Sequence, residues 1–304
     1  MTLREIPLER RTLHGHFSRD LAPVLTVDSG DSIAFACLNA GWRTAEHEEI
    51  VERDEELDAG HALIGPVEVR GARAGQALAV SIDQLLIGTG GFTQAGGFDT
   101  PLNQRLGVAD GDGVTLRWSL DAEAAIGRSD TGREVRLAPF LGVIGMPPDE
   151  PGVHSTAPPR SFGGNIDCKE LVPGTTLFLP IPVDGALLSA GDGHAAQGDG
   201  EVSQLAIEAP VERAVLTLTV RDDIELAWPI AWTPEAWLSF GFDEDLDEAA
   251  AIAIDGMLVL MGREHGLERR EALALASVVV DLRVTQMVNG ARGVHARLAH
   301  GALR

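Results

Sequence analysis

Hydrophobic and polar positions alternate along most of the first 225 residues, in short runs divided by turn-forming residues. Val24-Leu25-Thr26-Val27 is followed by Asp28-Ser29-Gly30-Asp31, and then Ile33, Phe35 and Cys37 fall at alternate positions. A period of two puts one set of side chains on one face, so this segment predicts strand, tight turn, strand. The pattern returns at Val67-Glu68-Val69-Arg70, a glycine-bounded turn at 71–75, and then Leu78, Val80 and Ile82. Further strands are predicted at 114–118, 176–179, 202–207 and 215–220. Short alternating runs with regular turn signals predict a mainly β, sandwich- or barrel-like part.

Two stretches break the pattern. Residues 84–112 and 145–164 are rich in Gly, Pro, Asp and Ser and are read as loops. Pro147-Pro148, Pro151 and Pro158-Pro159 make the second one stiff and extended. Beyond 225 the period changes. Leu246, Ala250, Ala253, Met257 and Leu260 recur at helical spacing after acidic residues suited to a helix start. Gly266 then divides this helix from a second one predicted over 268–288. The expectation is one unit spanning 1–304, α+β overall, with a β-rich part at 1–225 and a helical part at 226–304 that ends in an αα-hairpin.

Composition narrows the partners. The chain carries 46 acidic and 24 basic side chains among 304 residues, a formal charge of −22. Such a charge repels phosphate backbones and anionic lipid, which argues against nucleic-acid and membrane partners. Cys37 and Cys168 are too few and too far apart for a disulfide framework or a zinc finger. The first residues lack the basic-apolar-small pattern of a secretory leader, and no run of about 18 apolar residues occurs. The expected compartment is the cytoplasm.

Candidate chemistry concentrates in residues 163–201. Asn165, Asp167, Asp192, His194, Gln197, Asp199 and Glu201 lie there among glycines. Carboxylates with one imidazole are common ligands of a divalent metal. Asp192 and His194 are two apart, as are Asp199 and Glu201, and in an extended segment such pairs share a face. A carboxylate beside a bound cation can also serve as a general base. Asp and Gly make tight turns with no chemistry at all, so composition leaves a turn cluster and a metal or catalytic site both open.

The stretches Phe162-Gly-Gly-Asn-Ile-Asp167, Leu179-Pro-Ile-Pro-Val-Asp-Gly-Ala-Leu187 and Gly191-Asp-Gly-His-Ala-Ala-Gln-Gly-Asp-Gly-Glu201 resemble the acetamidase/formamidase family. Supporting stretches start at Pro23, Phe140 and Leu275, so the resemblance runs through nearly the whole chain. It implies a hydrolase of short carboxamides such as formamide and acetamide, with a β-rich fold and a helical C-terminal part. It also implies a homodimer or larger homo-oligomer and a divalent metal, with zinc expected and calcium the alternative. Carried over by position, it places Asp167, Asp192 and His194 at the metal. Glu201 becomes the base, with Asp199 and Asn165 as further catalytic or polar contacts. Where the family commonly has a Cys-Gly pair, this chain has Ser203-Gln204-Leu205. That departure keeps two other readings in play: another C–N substrate, such as a ureido compound or larger amide, and a non-catalytic metal- or ligand-binding module.

Other residues carry weaker signals. His14 and His16 could cap a pocket or form a surface pair. Asn39, Trp42 and Arg43 follow a strand end, where pocket residues often lie. Asp281, Thr285 and Asn289 form a polar line at a spacing of four, facing solvent, an internal network, the site or a partner subunit. Cys168 is read as a buried small residue. A serine or cysteine amidase is disfavoured, since there is no Gly-x-Ser-x-Gly elbow and Lys169 is the only lysine.

Overall fold

The computed structural model describes residues 2–46 and 48–304. Its framework is a nine-stranded sheet and a six-stranded sheet, neither closed into a barrel. In the larger sheet, Asp31–Cys37, Val211–Arg221, Ala77–Ile87 and Thr176–Pro180 lie side by side. The sheet then continues through Ile230–Trp232, Ala236–Asp243 and Ala291–Ala299 to the edge strand Val280–Asn289. In the smaller sheet, Gly163–Asn165, Phe140–Gly145, Leu188–His194 and Leu63–Val69 are neighbours. One core cluster draws Ile33, Val80 and Leu216 from the first sheet and Ile64, Leu141, Ile144 and Leu188 from the second. Most inward residues of the nine-stranded sheet's central strands are apolar, and burial of that surface is the main drive to fold.

Several predicted strands form where the alternation placed them, but their partners differ. Leu25–Val27 does not pair with Asp31–Cys37 across the turn; it runs parallel to Leu63–Val69. Residues 84–112 are not one loop. Ala77–Ile87 extends into them, Gly90–Ala95 is a strand, and Pro101–Leu106 is a short helix capped by the Thr100 side chain. Gly90–Ala95 joins Val114–Asp121, Ile126–Ser129 and Glu134–Arg136 in a separate four-stranded sheet. Residues 202–207 are not a strand; Glu201 and Gln204 have φ of 44° and 72°, in the left-handed region, which breaks an extended path.

The helical part is mixed. Leu246–His265 is the expected helix, with Asp245 accepting hydrogen bonds from the Asp247 and Glu248 amides and Gly266 closing its end at φ 67°. Its buried residues Ala249, Ala253, Met257, Leu260 and Met261 face the nine-stranded sheet. The approach is close at Gly241, where a Cβ would lie 2.0 Å from the Ala249 carbonyl oxygen. The second helix is Arg269–Val279 and stops nine residues before its predicted end; Val280–Asn289 is a strand paired with Ala291–Ala299. The run Val278-Val279-Val280 and the β-branched Val284 and Thr285 favour a strand once a partner strand is available. Residues 226–304 therefore hold two helices and four strands. Among the described residues, no helix is long and apolar enough to cross a membrane.

The C-terminal hairpin is fastened to the loop after Asp167 through Glu170. Its carboxylate accepts from Arg283 at 2.8 Å and Arg297 at 3.0 Å, and lies 3.3 Å from His295 Nε2. Burial pushes the Glu170 carboxyl up, but His295, Arg297 and Arg283 outweigh it and hold it at about 2. A carboxyl depressed on folding stabilises the fold above its unfolded value, and that contribution fades as pH falls toward the folded one. Glu170→Gln is expected to cost about 2 kcal/mol at neutral pH, the size of charged hydrogen bonds. The gap from wild type should close as melts are repeated from pH 5 down toward pH 2. A gap unchanged at the acid end would rule out this ion network as its source.

Candidate active site

Three adjacent strands of the six-stranded sheet and one turn supply the site. Phe140–Gly145 and Leu188–His194 pair with Phe140 opposite His194 and Leu141 opposite Gly193. Asp167 follows the Gly163–Asn165 strand, and its amide donates to the Gly142 carbonyl at 3.2 Å. Glu201 stands on a glycine turn held from the other side, where Gly200 donates to the Thr285 carbonyl and accepts from Met287. Asp167, Asp192 and Glu201 all have left-handed backbone, with φ of 52°, 61° and 44°. Non-glycine residues seldom adopt it, and such positions gather at functional sites.

These turns bring four carboxylates around one imidazole. His194 Nε2 lies 3.3 Å from both Asp192 Oδ2 and Glu208 Oε1, and its Nδ1 lies 3.8 Å from Asp167 Oδ1. Asp167, His194 and Glu201 form one group whose ligand atoms are close enough to hold a metal ion, and Asp192, His194 and Glu208 form another. All five residues are buried. Gly142 is what leaves room between them. A Cβ there would fall 2.5 Å from Asp192 Oδ2, 2.6 Å from Asp167 Oδ1 and 2.9 Å from His194 Cε1.

Electrostatics and hydrogen bonding both point to a missing positive charge. Asp167 Oδ1, Asp192 Oδ1, Glu201 Oε2 and Glu208 Oε2 are buried with no hydrogen-bond partner. An unpaired buried oxygen of this kind costs the fold free energy unless something answers it. With only protons available, burial and then the Glu201 carboxylate push Asp167 well above the ordinary carboxylate value. Burial likewise pushes Glu201 up to about 7. Burial works against charge on His194, but Glu208 and Asp192 outweigh it and hold the imidazole protonated well above its usual range. Burial also opposes charge on Asp192, which the His194 imidazolium keeps down at about 2. A divalent cation fits this donor set: it would satisfy the orphaned oxygens and balance their charge together.

The surrounding residues orient the cluster. Gln197 donates from Nε2 to the Asp167 carbonyl at 2.7 Å, which turns its Oε1 toward His194 Nδ1 at 3.1 Å. Nδ1 therefore keeps a proton in either charge state of the ring, and Nε2, which faces Asp192 and Glu208, is the nitrogen that would give up its proton to bind a cation. Asn289, from the C-terminal hairpin, donates to Asp167 Oδ2 at 2.6 Å. One end of the polar line read from the sequence thus reaches the site. Thr285 instead bonds His295 inside the hairpin, and Asp281 is exposed.

Not every candidate joins. Asp199 pairs with Lys169 at 3.0 Å and is half-exposed; the left-handed turn at Gly200 breaks the extended path that would have given it and Glu201 a shared face. Asn165 is buried and donates to the Ala157 carbonyl, and its Oδ1 has no partner. His14 is buried between the His16 carbonyl and Ser189, and burial lowers it to about 4. His16 contacts the Leu57 carbonyl. Cys168 is buried and its thiol is pushed up by burial, which fits a packed residue and not a nucleophile. Glu208 was missed. It sits in the run Ala206-Ile207-Glu208-Ala209, and the only signal is a lone acid in an apolar stretch.

Glu201 also opens onto a cavity of about 410 Å³, with Gln197 and Asp199 beside it. Acids held away from their ordinary values at the edge of a cavity are what an acid–base enzyme acting on a small molecule requires. Sequence relationships name the kind: the chain belongs to the acetamidase/formamidase family, whose model matches residues 3–155 and 150–224. A formamidase from Methylophilus methylotrophus is 26% identical over 249 residues, covering 63% of this chain and 60% of that protein. The crystal structure of an acetamidase from Bacillus halodurans superposes with a TM-score of 0.83 at 28% identity, covering 97% of both chains. An acetamidase from Yersinia enterocolitica shares the fold, with a TM-score of 0.83 at 23% identity over 99% of this chain and 93% of that one.

Proposed function

We propose that this protein hydrolyses a primary carboxamide to the carboxylate and ammonia, with Glu201 as the proton-transferring base. The observation that carries this reading is the unpartnered Oε2 of Glu201, buried beside the acid-and-imidazole cluster on a residue that also lines the cavity. Asp167, Asp192, His194 and Glu208 would hold the cation. A bound divalent cation supplies a Lewis acid for the amide oxygen, whose carbonyl is otherwise weakly electrophilic. Zinc is the metal proposed, because the donor set includes an imidazole, whereas calcium sites are built from oxygen alone.

The chain's own residues then have separate tasks. Glu201 takes a proton from the attacking water and delivers it to the leaving nitrogen. Burial pushes its carboxyl above the ordinary carboxylate value, the direction that suits a group that both accepts and returns a proton. Gln197 fixes the His194 tautomer, and Asn289 keeps one oxygen of Asp167 in place. The buried walls around the cluster exclude bulk water, so these charges act in a low dielectric.

Ammonia release from formamide and acetamide is the test. Turnover is expected with the purified protein, about one divalent ion per chain by elemental analysis, and loss of nearly all activity on chelation with recovery on adding zinc. Bound metal without ammonia from any amide would make the protein a binding module. Full turnover after verified metal loss would remove the cation from the chemistry.

A further inference from the structure

Acetamide needs far less room than the cavity at Glu201 offers. Its four heavy atoms, at the roughly 30 Å³ a water molecule takes in the liquid, come to about 120 Å³. The cavity is about 410 Å³. Most of its other lining surface is apolar: Trp118, Val135, Val202, Leu205 and Ile207 line it, beside the polar Thr93, Arg136 and Ser203. Val135 and Val202 are 36% and 61% exposed. Apolar side chains left in water and gathered at a cavity mouth mark a surface kept for a ligand. Trp118 and Val135 come from the separate four-stranded sheet, while Leu205 and Ile207 follow Glu201 in the irregular segment that displaced the expected strand. Two independent parts of the chain thus build one apolar wall beside the proposed base.

We infer that the preferred substrate is a primary carboxamide whose acyl group is apolar and larger than methyl, with its amide at Glu201 and its acyl chain along Trp118, Val135, Leu205 and Ile207. This rests on the hydrolase reading and deepens it. The reaction balances as R–CO–NH2 + H2O → R–COO⁻ + NH4⁺. The water oxygen bonds to the carbonyl carbon, the C–N bond breaks, and the nitrogen leaves with the proton that Glu201 moved. Burying each added methylene in an apolar pocket improves discrimination by roughly tenfold or more when the pocket fits it.

The experiment measures kcat/KM by ammonia release for formamide, acetamide, butanamide, hexanamide and phenylacetamide on the metal-loaded enzyme. A rise of at least about tenfold from acetamide to hexanamide or phenylacetamide is expected. Val135→Asp, at an exposed position, should lower the hexanamide-to-acetamide ratio about tenfold, and Leu205→Ser should lower it in the same direction. A flat or falling series across chain length overturns the inference while leaving the hydrolase reading intact, as does an unchanged ratio in both variants. Ammonia from none of the five amides overturns the hydrolase reading itself.

Discussion

Glu201→Gln should fold, keep its cation and lose about 10²–10⁴-fold in kcat, the range that a single positioned proton-transfer group supplies. Glutamine preserves the shape of the side chain and its place on the Gly200 turn, and removes only the ability to take a proton. Oε2 is the oxygen left without a partner, and a glutamine amide can still pair with Asp167, as the Glu201 carboxyl does. The measurement pairs steady-state ammonia release with metal content and a thermal melt. Activity within about threefold of wild type, with metal retained, would show that the base lies elsewhere. Metal lost together with activity would assign Glu201 to holding the cation.

Gly142→Ala should inactivate the enzyme through a single methyl group, without replacing a charged residue. The new Cβ would lie 2.5 Å and 2.6 Å from the oxygens of Asp192 and Asp167, and 2.9 Å from His194 Cε1, all closer than real Cβ contacts allow. The strand Phe140–Gly145 is paired on both sides, so its backbone has little freedom to withdraw. The side chains must move instead. A displacement of about 1 Å in a catalytic group is worth about 10²-fold, and here three groups are displaced together. Overpacking adds about 1–3 kcal/mol of destabilisation. The expected result is activity near background, metal content well below wild type and a modest fall in melting temperature. A Gly142→Ala protein with normal metal and normal turnover would show that the space over Gly142 is not part of the site.

How much of this was written in the sequence can be judged residue by residue. Asp167, Asp192, His194 and Glu201 were legible because glycines surround them, and the structure shows why: three of the four acids at the site need left-handed backbone, and the flanking glycines give the chain freedom to turn there. The reason first offered for Asp192 and His194, alternation on an extended strand, was too simple, since Asp192 itself departs from extended geometry. Glu208 was illegible because nothing local distinguishes it from a surface acid; only the pairing of its segment against His194 and Phe92 brings it inward. The polar line Asp281, Thr285, Asn289 misled for an arithmetical reason. A spacing of four lies near one helical turn and is also a multiple of the strand period, so it cannot separate the two. Strand alternation identified most of the sheet, but not which strands would be neighbours, because pairing depends on contacts far apart along the chain.

The bond from Asn289 to Asp167 spans 122 positions in sequence. During synthesis, the acids at 167, 192, 201 and 208 all leave the ribosome well before the hairpin that carries Asn289, which also supplies the Thr285 carbonyl that anchors the Gly200 turn. A growing chain therefore exposes an incomplete, strongly negative nest that still lacks the Asn289 bond and the Thr285 anchor. Capture of the proposed cation should be a late event in biogenesis, coupled to docking of the hairpin at 280–299 and not to formation of the six-stranded sheet.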